Sequence, residues 1–266
     1  MSDLLTPDKA AALRSQIILE KLLHMGSVTV EELAEQFGVS VATVRRDLVE
    51  LEQRGRLRRT HGGAKPVEPL LYEPFRNDSS FHEQIERNIA EKRRIGLAAA
   101  SLIEPGETIS LTAGTTTTQV TRSLRPHANV TVVTNTVNVA MELSQRDDVQ
   151  VLVTGGFLRG GWFSLVGPAC THALSQIFVD KVFIGVDGID AAKGLTDLHH
   201  EEAATNRVMI QQAKRRIVVT DHTKFGVVVP CLICPTTEIH QLITDTGATD
   251  EQIAPFLKLG IEVLRV

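Results

Sequence analysis

The chain has 266 residues, 42% of them hydrophobic and 23% charged, with a formal net charge of −4; this suits a small domain plus a larger one, with an ordinary globular composition. No run approaches the roughly 20 apolar residues of a membrane span, the start MSDLLTPDKAAALRSQ lacks the basic-then-apolar pattern of a signal peptide, and three cysteines do not make a disulfide framework. A cytoplasmic protein with no membrane partner is expected, and the negative net charge would exclude nucleic acid only if it were evenly spread.

It is not evenly spread. Residues 1–65 carry a net +1 and the remainder −5, and within 40–65 seven bases face three acids. Screening confines a charge's field to about 10 Å, so local charge is what a phosphate meets.

In chain order, Leu13, Ile17, Ile18, Leu22 and Leu23 recur at helical spacing and predict an amphipathic first helix ending near Gly26. Thr29 and Glu32 form a capping box for a second helix carrying Leu33, Ala34 and Phe37, which Gly38 stops. Ser40 then offers a new N-cap, and Val41, Val44, Leu48 and Leu51 predict one buried stripe along a third helix that Gly55 ends. The same spacing turns Ala42, Thr43, Arg45 and Arg46 outward at the start of that helix. Two short helices at a tight turn, the second opening on small, polar and cationic groups, match a recognition helix. Arginine forks read guanine or clamp phosphate, and Ala42 and Thr43 allow close approach to bases. Leu57–His61, a Gly62–Gly63 turn and a return strand Ala64–Lys65 read as a wing, with Arg58, Arg59, His61 and Lys65 placed to reach DNA. A charge run usually marks only a solvated face, but this one follows a capped two-helix unit and precedes a hairpin. The DNA-contacting candidates are therefore Ser40, Ala42, Thr43, Arg45, Arg46, Arg58, Arg59, His61 and Lys65, with double-stranded operator DNA as partner.

Gly26, Val28, the run Val30-Glu31-Glu32-Leu33-Ala34, Phe37, Val39-Ser40, the run Thr43-Val44-Arg45-Arg46-Asp47-Leu48, Leu51, Gly55, Leu57, Arg59 and the run His61-Gly62-Gly63-Ala64 together resemble the signature of the DeoR family of bacterial regulators. The resemblance implies operator binding, usually repression, often of sugar catabolic genes.

Pro66, Pro69, Pro74 and the polar run Arg76-Asn77-Asp78-Ser79-Ser80 predict a linker over 66–80, separating a winged helix-turn-helix (1–65) from a larger domain (81–266). There a helix is predicted over Arg87–Leu102. Strands follow at Thr108–Thr112, Val130–Thr134, Val149–Thr154, Lys181–Asp187, Ile217–Asp221, Gln241–Thr244 and Ile261–Val266. Helices alternate with them at Gln119–Leu124, Val137–Ser144, Pro168–Phe178, Glu201–Ala213 and Asp250–Leu257. The alternation predicts an α/β fold with a mostly parallel sheet covered on both faces, whose ligands sit at the carboxyl ends of its strands.

Several of those ends carry chemistry. Ala113-Gly114-Thr115-Thr116-Thr117-Thr118 follows a strand and opens a helix, where hydroxyls and free N–H groups suit a phosphate; a bare threonine cap is the plainer alternative. Asn135 and Thr136, Gly155 and Gly156 with Arg159, and the segment Gly185–Asp190 end further strands. The region is also similar to the DeoR-family sensor domain, which resembles ribose-5-phosphate isomerase and glucosamine-6-phosphate deaminase in fold. That similarity implies a sugar phosphate held by Gly114, Thr115, Thr116 and Thr117, with Asn135, Gly155, Gly156, Arg159, Gly167, Asp187, Glu202 and Lys224 around the sugar. Where the family commonly has an acidic residue and a serine, this chain has Thr112 and Ala113. The missing carboxylate removes a hydroxyl acceptor and a candidate base, so the effector is expected to be bound differently or to be unusual.

The lone Cys231-x-x-Cys234 lacks the four ligands of structural zinc and reads as a buried apolar thiol pair. The run His199-His200-Glu201-Glu202 reads as a helix start favoured by the dipole, with His200 kept as an effector contact. No metal, cofactor or catalytic residue is assigned. Trp162, among Gly160, Gly161 and Phe163, suits either a loop closing over a ligand or a subunit contact. Paired operator half-sites imply a homodimer or homotetramer. The expected function is a repressor of a carbohydrate operon responding to a phosphorylated sugar. The alternatives are a sugar-phosphate isomerase or deaminase with an accessory winged helix, and a winged helix used for protein contacts only.

Overall fold

The computed structural model describes residues 7–53, 56–66, 84–126, 128–144 and 146–266, and the chain divides into two units, residues 1–72 and 73–266. Gly55 and, from residue 67 onward, the expected linker lie outside the described residues.

In the first unit, α1 (Pro7–Met25) sends Ile18 and Leu22 into a core shared with Val44, Leu48 and Leu51. Leu13, expected on the same stripe, is 48% exposed. Residues 14, 18 and 22 form one i,i+4 row, so Arg14 takes the inward place that Leu13 misses. Short strand β1 (Val28–Thr29) leads into α2 (Val30–Phe37), which carries the expected capping box between Thr29 and Glu32 and ends on Gly38 at φ 62°. Next comes α3 (Val41–Gln53), whose Val44, Leu48 and Leu51 are buried. Val41, expected with them, is 37% exposed. Helical side chains lean toward the N-terminus, so a first-turn residue reaches past the helix end instead of into the core.

The wing consists of β2 (Leu57–Thr60) and β3 (Gly63–Pro66), antiparallel around a His61–Gly62 turn. That turn lies one residue earlier than the expected Gly62–Gly63. The reason is β1, which pairs with β3. A Cβ on Gly63 would lie 1.8 Å from the Val28 carbonyl oxygen, so Gly63 serves strand packing and not the turn.

In the second unit the chain runs through α4 (Ile89–Ser101), β4 (Thr108–Leu111), α5 (Thr115–Arg122), β5 (Val130–Thr134), α6 (Val137–Leu143) and β6 (Val149–Val153). It continues through a hairpin of β7 (Phe157–Arg159) and β8 (Ser164–Val166), α7 (Pro168–Ser175), β9 (Val179–Ile184), β10 (Gly188–Asp190) and β11 (Gly194–Asp197). Last come α8 (His200–Gln211), β12 (Ala213–Val219), β13 (Cys231–Cys234), β14 (Gln241–Thr244), α9 (Asp250–Lys258) and β15 (Glu262–Arg265). Seven strands form one sheet in the order β15-β14-β12-β9-β4-β5-β6, and every pairing in it is parallel. β10, β11 and β13 form a small antiparallel sheet.

Alternation along the strands splits the apolar side chains between two cores. Val182, Ile184, Val218 and Leu242 join Leu174, Met209, Ile253 and Phe256 on one face. Phe183, Ile217, Val219 and Ile243 join Ile95, Ala99 and Val120 on the other. Both faces are covered, as parallel sheets require. No helix of the described residues is long and apolar enough to cross a membrane.

Strand order decides where a ligand can sit. β4, β5 and β6 extend one way from the centre, and β9, β12, β14 and β15 the other. Connections reverse between β4 and β9, and the chain leaving these two strands, into α5 after β4 and into β10, β11 and α8 after β9, leaves a crevice at their carboxyl ends.

Candidate effector cleft and nucleic-acid interface

At that crevice lies a cleft of about 650 Å³, open mouth included. Its walls come from the ends of β4 (Ala113 to Thr116), β9 (Gly185, Val186, Asp187) and β12 (Thr220, Asp221, Lys224). Lys92 of α4, Gln84, Trp162 of the β7–β8 turn, Asp197, His199 and Glu202 complete them.

Gly114, with φ at 148°, turns the chain from β4 into α5 in a conformation nearly reserved for glycine. No side chain caps the start of α5, so the first N–H groups of the helix point out beside the hydroxyls of Thr115 and Thr116, which line the cleft. Thr117 and Thr118 turn inward, each donating to the Gly114 carbonyl at 2.9 and 2.8 Å.

Of the effector candidates, the structure brings Gly114, Thr115, Thr116, Asp187, Glu202 and Lys224 to the cleft. Arg159 reaches it indirectly, its guanidinium 3.3 Å from the Glu202 carboxylate, which also accepts from Ser164 Oγ at 2.6 Å. Thr112 is fully buried behind the wall, its hydroxyl accepting the Gly185 N–H at 3.0 Å and so tying β4 to β9. Asn135 donates to the Leu165 carbonyl, and the hydroxyls of Thr136 and Thr134 lie 2.6 Å apart. Gly156 packs on Val166, Gly155 has open space around it, and Gly167 opens α7. His200 is exposed, and its neighbour His199 takes the cleft position. The expected thiol pair stays on one side of β13, because the register with β11 slips by one residue between them: Cys234 is buried, and Cys231, partly buried, packs against the same core. Among the described residues, no three His, Cys, Asp or Glu side chains converge as a metal site.

Trp162 stands at the cleft, in line with the first of its two sequence readings, while sequence reasoning missed Gln84, Lys92, Asp197, Thr220 and Asp221. Two groups of charge result. Burial lowers the Lys92 ammonium to about 8, with Asp221 opposing and Lys224 and Arg87 adding to the shift. Burial works to raise Asp221, but the Thr223 hydroxyl and N–H, Lys92 and Asn88 together hold it below the usual carboxylate range. Beside Glu202 and Asp187, Asp197 is pushed up to about 7, chiefly by burial, against the His199 N–H bond and Arg159. A carboxyl raised in the folded state stabilises the fold below its ordinary pKa near 4 and loses that contribution as pH rises through about 7. Asp197→Asn, which stays neutral, is expected to stabilise the protein more at about pH 8 than at about pH 5, by on the order of 2 kcal/mol. Urea unfolding at the two pH values measures this, and an equal effect at both would contradict it.

In the first unit, Ser40 Oγ accepts the Thr43 N–H at 3.2 Å, and the two hydroxyls lie 2.9 Å apart. Ala42, Arg45 and Arg46 are exposed at the start of α3 while Val44, Asp47 and Leu48 face inward. In the wing, Arg58 stands directly opposite Lys65, and Arg59 opposite Ala64. Like charges across a strand pair repel, a conflict that an anion placed between them would relieve. Arg59 instead turns back to α3, where its Nε and N–H meet the Glu52 carboxylate at 2.6 and 2.9 Å, so it braces the wing. His61 is exposed at the wing tip.

A winged helix with a cationic recognition helix, followed by a parallel α/β domain with a switch-point cleft, defines a DNA-binding transcriptional regulator. Residues 14–69 match the DeoR-like helix-turn-helix domain and residues 87–246 the DeoR C terminal sensor domain; the chain belongs to the DeoR family. It is 37% identical over 95% of its length to the putative aga operon transcriptional repressor of Escherichia coli O157:H7, covering 93% of that protein. It is 34% identical to the glycerol-3-phosphate regulon repressor of Escherichia coli K12 (79% of this chain, 81% of that one). It is also 36% identical to the transcriptional repressor GlcR of Bacillus subtilis (86% of each). Among solved structures, the sorbitol operon regulator SorC from Klebsiella pneumoniae aligns over 92% of this chain and 98% of its own at 12% identity, with a TM-score of 0.36. Ribose 5-phosphate isomerase A from Neisseria gonorrhoeae aligns over 51% and 52% at 13% identity, TM-score 0.38.

Proposed function

We propose that the protein represses a carbohydrate operon and that a phosphorylated sugar in the switch-point cleft sets its affinity for operator DNA. The observation that carries the ligand class is the start of α5: an uncapped helix N-terminus with the Thr115 and Thr116 hydroxyls beside it and Lys224 on the facing wall. A helix dipole, free N–H groups and an ammonium together suit a phosphate. The relatives, repressors of the aga operon and the glycerol-3-phosphate regulon, support the pathway class. Residues 1–65 are taken as the DNA-binding part, 66–80 as linker and 81–266 as the sensor. A ligand that prefers one state of the protein changes operator affinity by its differential binding energy. Paired half-sites ask for at least a dimer.

A thermal-shift screen of hexose and pentose phosphates tests this. Thr115→Ala with Thr116→Ala is expected to weaken any hit about a hundredfold, since each hydroxyl bonded to a charged group contributes on the order of 1.5 kcal/mol. Undiminished affinity would sink the phosphate cradle. A second reading draws on Asp197, a buried carboxyl titrating near neutrality in the cleft, the property of a general base. Turnover of ribose 5-phosphate or glucosamine 6-phosphate by the purified protein would favour it; none is expected.

A further inference from the structure

Lys92 is 3% exposed, yet it lines the cleft together with Gln84. Among the described residues its ammonium is paired with no carboxylate. It donates instead to two backbone carbonyls, those of Gln84 and Arg87, the latter at 2.7 Å. These carbonyls belong to residues 84–88, helical at 84–86 and turned at 87–88, a bend that opens the second unit's described chain and feeds α4.

The bend's other polar anchor also ends in the cleft. Asn88 Nδ2 donates to Asp221 Oδ1 at 3.3 Å, and Asp221 is a wall residue. Asn88 itself holds a left-handed conformation, φ 54°, and does not cap α4 with its side chain. Such a residue persists only where its surroundings hold it. The apolar side of the bend is secured by buried Ile85, so what the cleft controls is the hydrogen bonding of the backbone on either side of it.

An ammonium bonded to neutral carbonyls has weaker partners than an anion offers. Charge-assisted bonds are about twice as strong as those to neutral acceptors, and attraction between full charges grows in a half-buried site. Burial already holds Lys92 near 8, so an arriving anion relieves a desolvated charge as well. We propose that Lys92 is an anion-binding residue of the cleft and the residue that reports occupancy. The ligand's anionic group takes its ammonium from the carbonyls of Gln84 and Arg87, loosening the 84–88 bend through which the sensor domain is joined to the chain coming from the winged helix. This rests on the phosphate reading above.

Hydrogen exchange on the full chain, with and without saturating inorganic phosphate at matched ionic strength, tests it. Phosphate is expected to raise the melting temperature and to speed exchange of the amides in residues 84–91 by about tenfold, because local opening becomes easier where carbonyl anchors are lost. In Lys92→Met the same amides are expected to exchange fast without phosphate and to show no further change with it. A merely structural lysine would raise the baseline but leave the response to phosphate. If phosphate raises the melting temperature in a Thr115- and Thr116-dependent way while exchange at 84–91 stays unchanged in the wild type, the coupling through Lys92 is wrong and the cradle stands. If Lys92→Met keeps the wild-type response, the coupling is also wrong. Absence of any melting shift overturns both.

Discussion

Reversing the charge of Arg45 and Arg46 to glutamate is expected to weaken operator binding by about a thousandfold at physiological salt, because each arginine contributes roughly 1–3 kcal/mol as a base or phosphate contact and each glutamate adds repulsion. Both side chains are exposed at the start of α3, where the buried row Val44, Asp47 and Leu48 leaves them facing out. Fluorescence anisotropy on DNA from the promoter region beside the protein's own gene measures the loss. Single alanine variants separate the two kinds of contact. An arginine on a phosphate lowers affinity for every sequence and reduces the slope against log salt by about one, whereas an arginine on guanine relaxes specificity at one position. Unchanged binding by the folded double variant would show that the winged helix serves protein contacts instead.

Asp47→Ala is expected to destabilise the winged helix by about 2–3 kcal/mol, the cost of leaving a partly buried cation without its partner. Asp47 is 6% exposed and receives the Arg14 guanidinium through two bonds, at 2.7 and 3.1 Å, from α1 to α3. For a unit this small, that is a large share of its stability. The pair also fixes the rotation of α3: Asp47 held inward keeps Arg45 and Arg46 outward. Loss of DNA binding should therefore accompany unfolding in Asp47→Ala. The combined change Arg14→Met with Asp47→Leu removes both charges, and recovers much of the stability. Urea titration of the isolated transition reads both. A cost under about 1 kcal/mol for Asp47→Ala would show that the pair behaves as an exposed one.

Much of the fold was legible. The capping box at Thr29 and Glu32 and the stripe Val44, Leu48, Leu51 are local signals, set by bonds within one turn or one helix face. The parallel strands were also legible as apolar runs, because a sheet covered on both faces needs apolar residues on both sides of each strand. The misplaced elements are those that depend on a neighbour. The wing turn moved because β1 packs on Gly63. Strand β9 stops at Ile184, which frees Gly185 to Asp187 for the cleft. The β7–β8 hairpin and the small β10-β11-β13 sheet have strands of three or four residues, too short for a period to show.

By itself, then, the sequence determined the two-part organisation, the cationic recognition helix and the threonine-rich helix start, since each is written in residues close together along the chain. Only the tertiary structure decided which strand ends share a cleft. That depends on β9 lying beside β4 in the sheet, a pairing between segments some seventy residues apart, which no local spacing encodes. The same long-range packing brought Lys92, Asp197 and Asp221 to the threonines, placed Thr112 behind the wall and turned Arg14 onto Asp47. Burial and charge partners arise only when distant segments meet, and there the ionisable groups of this protein acquire their roles.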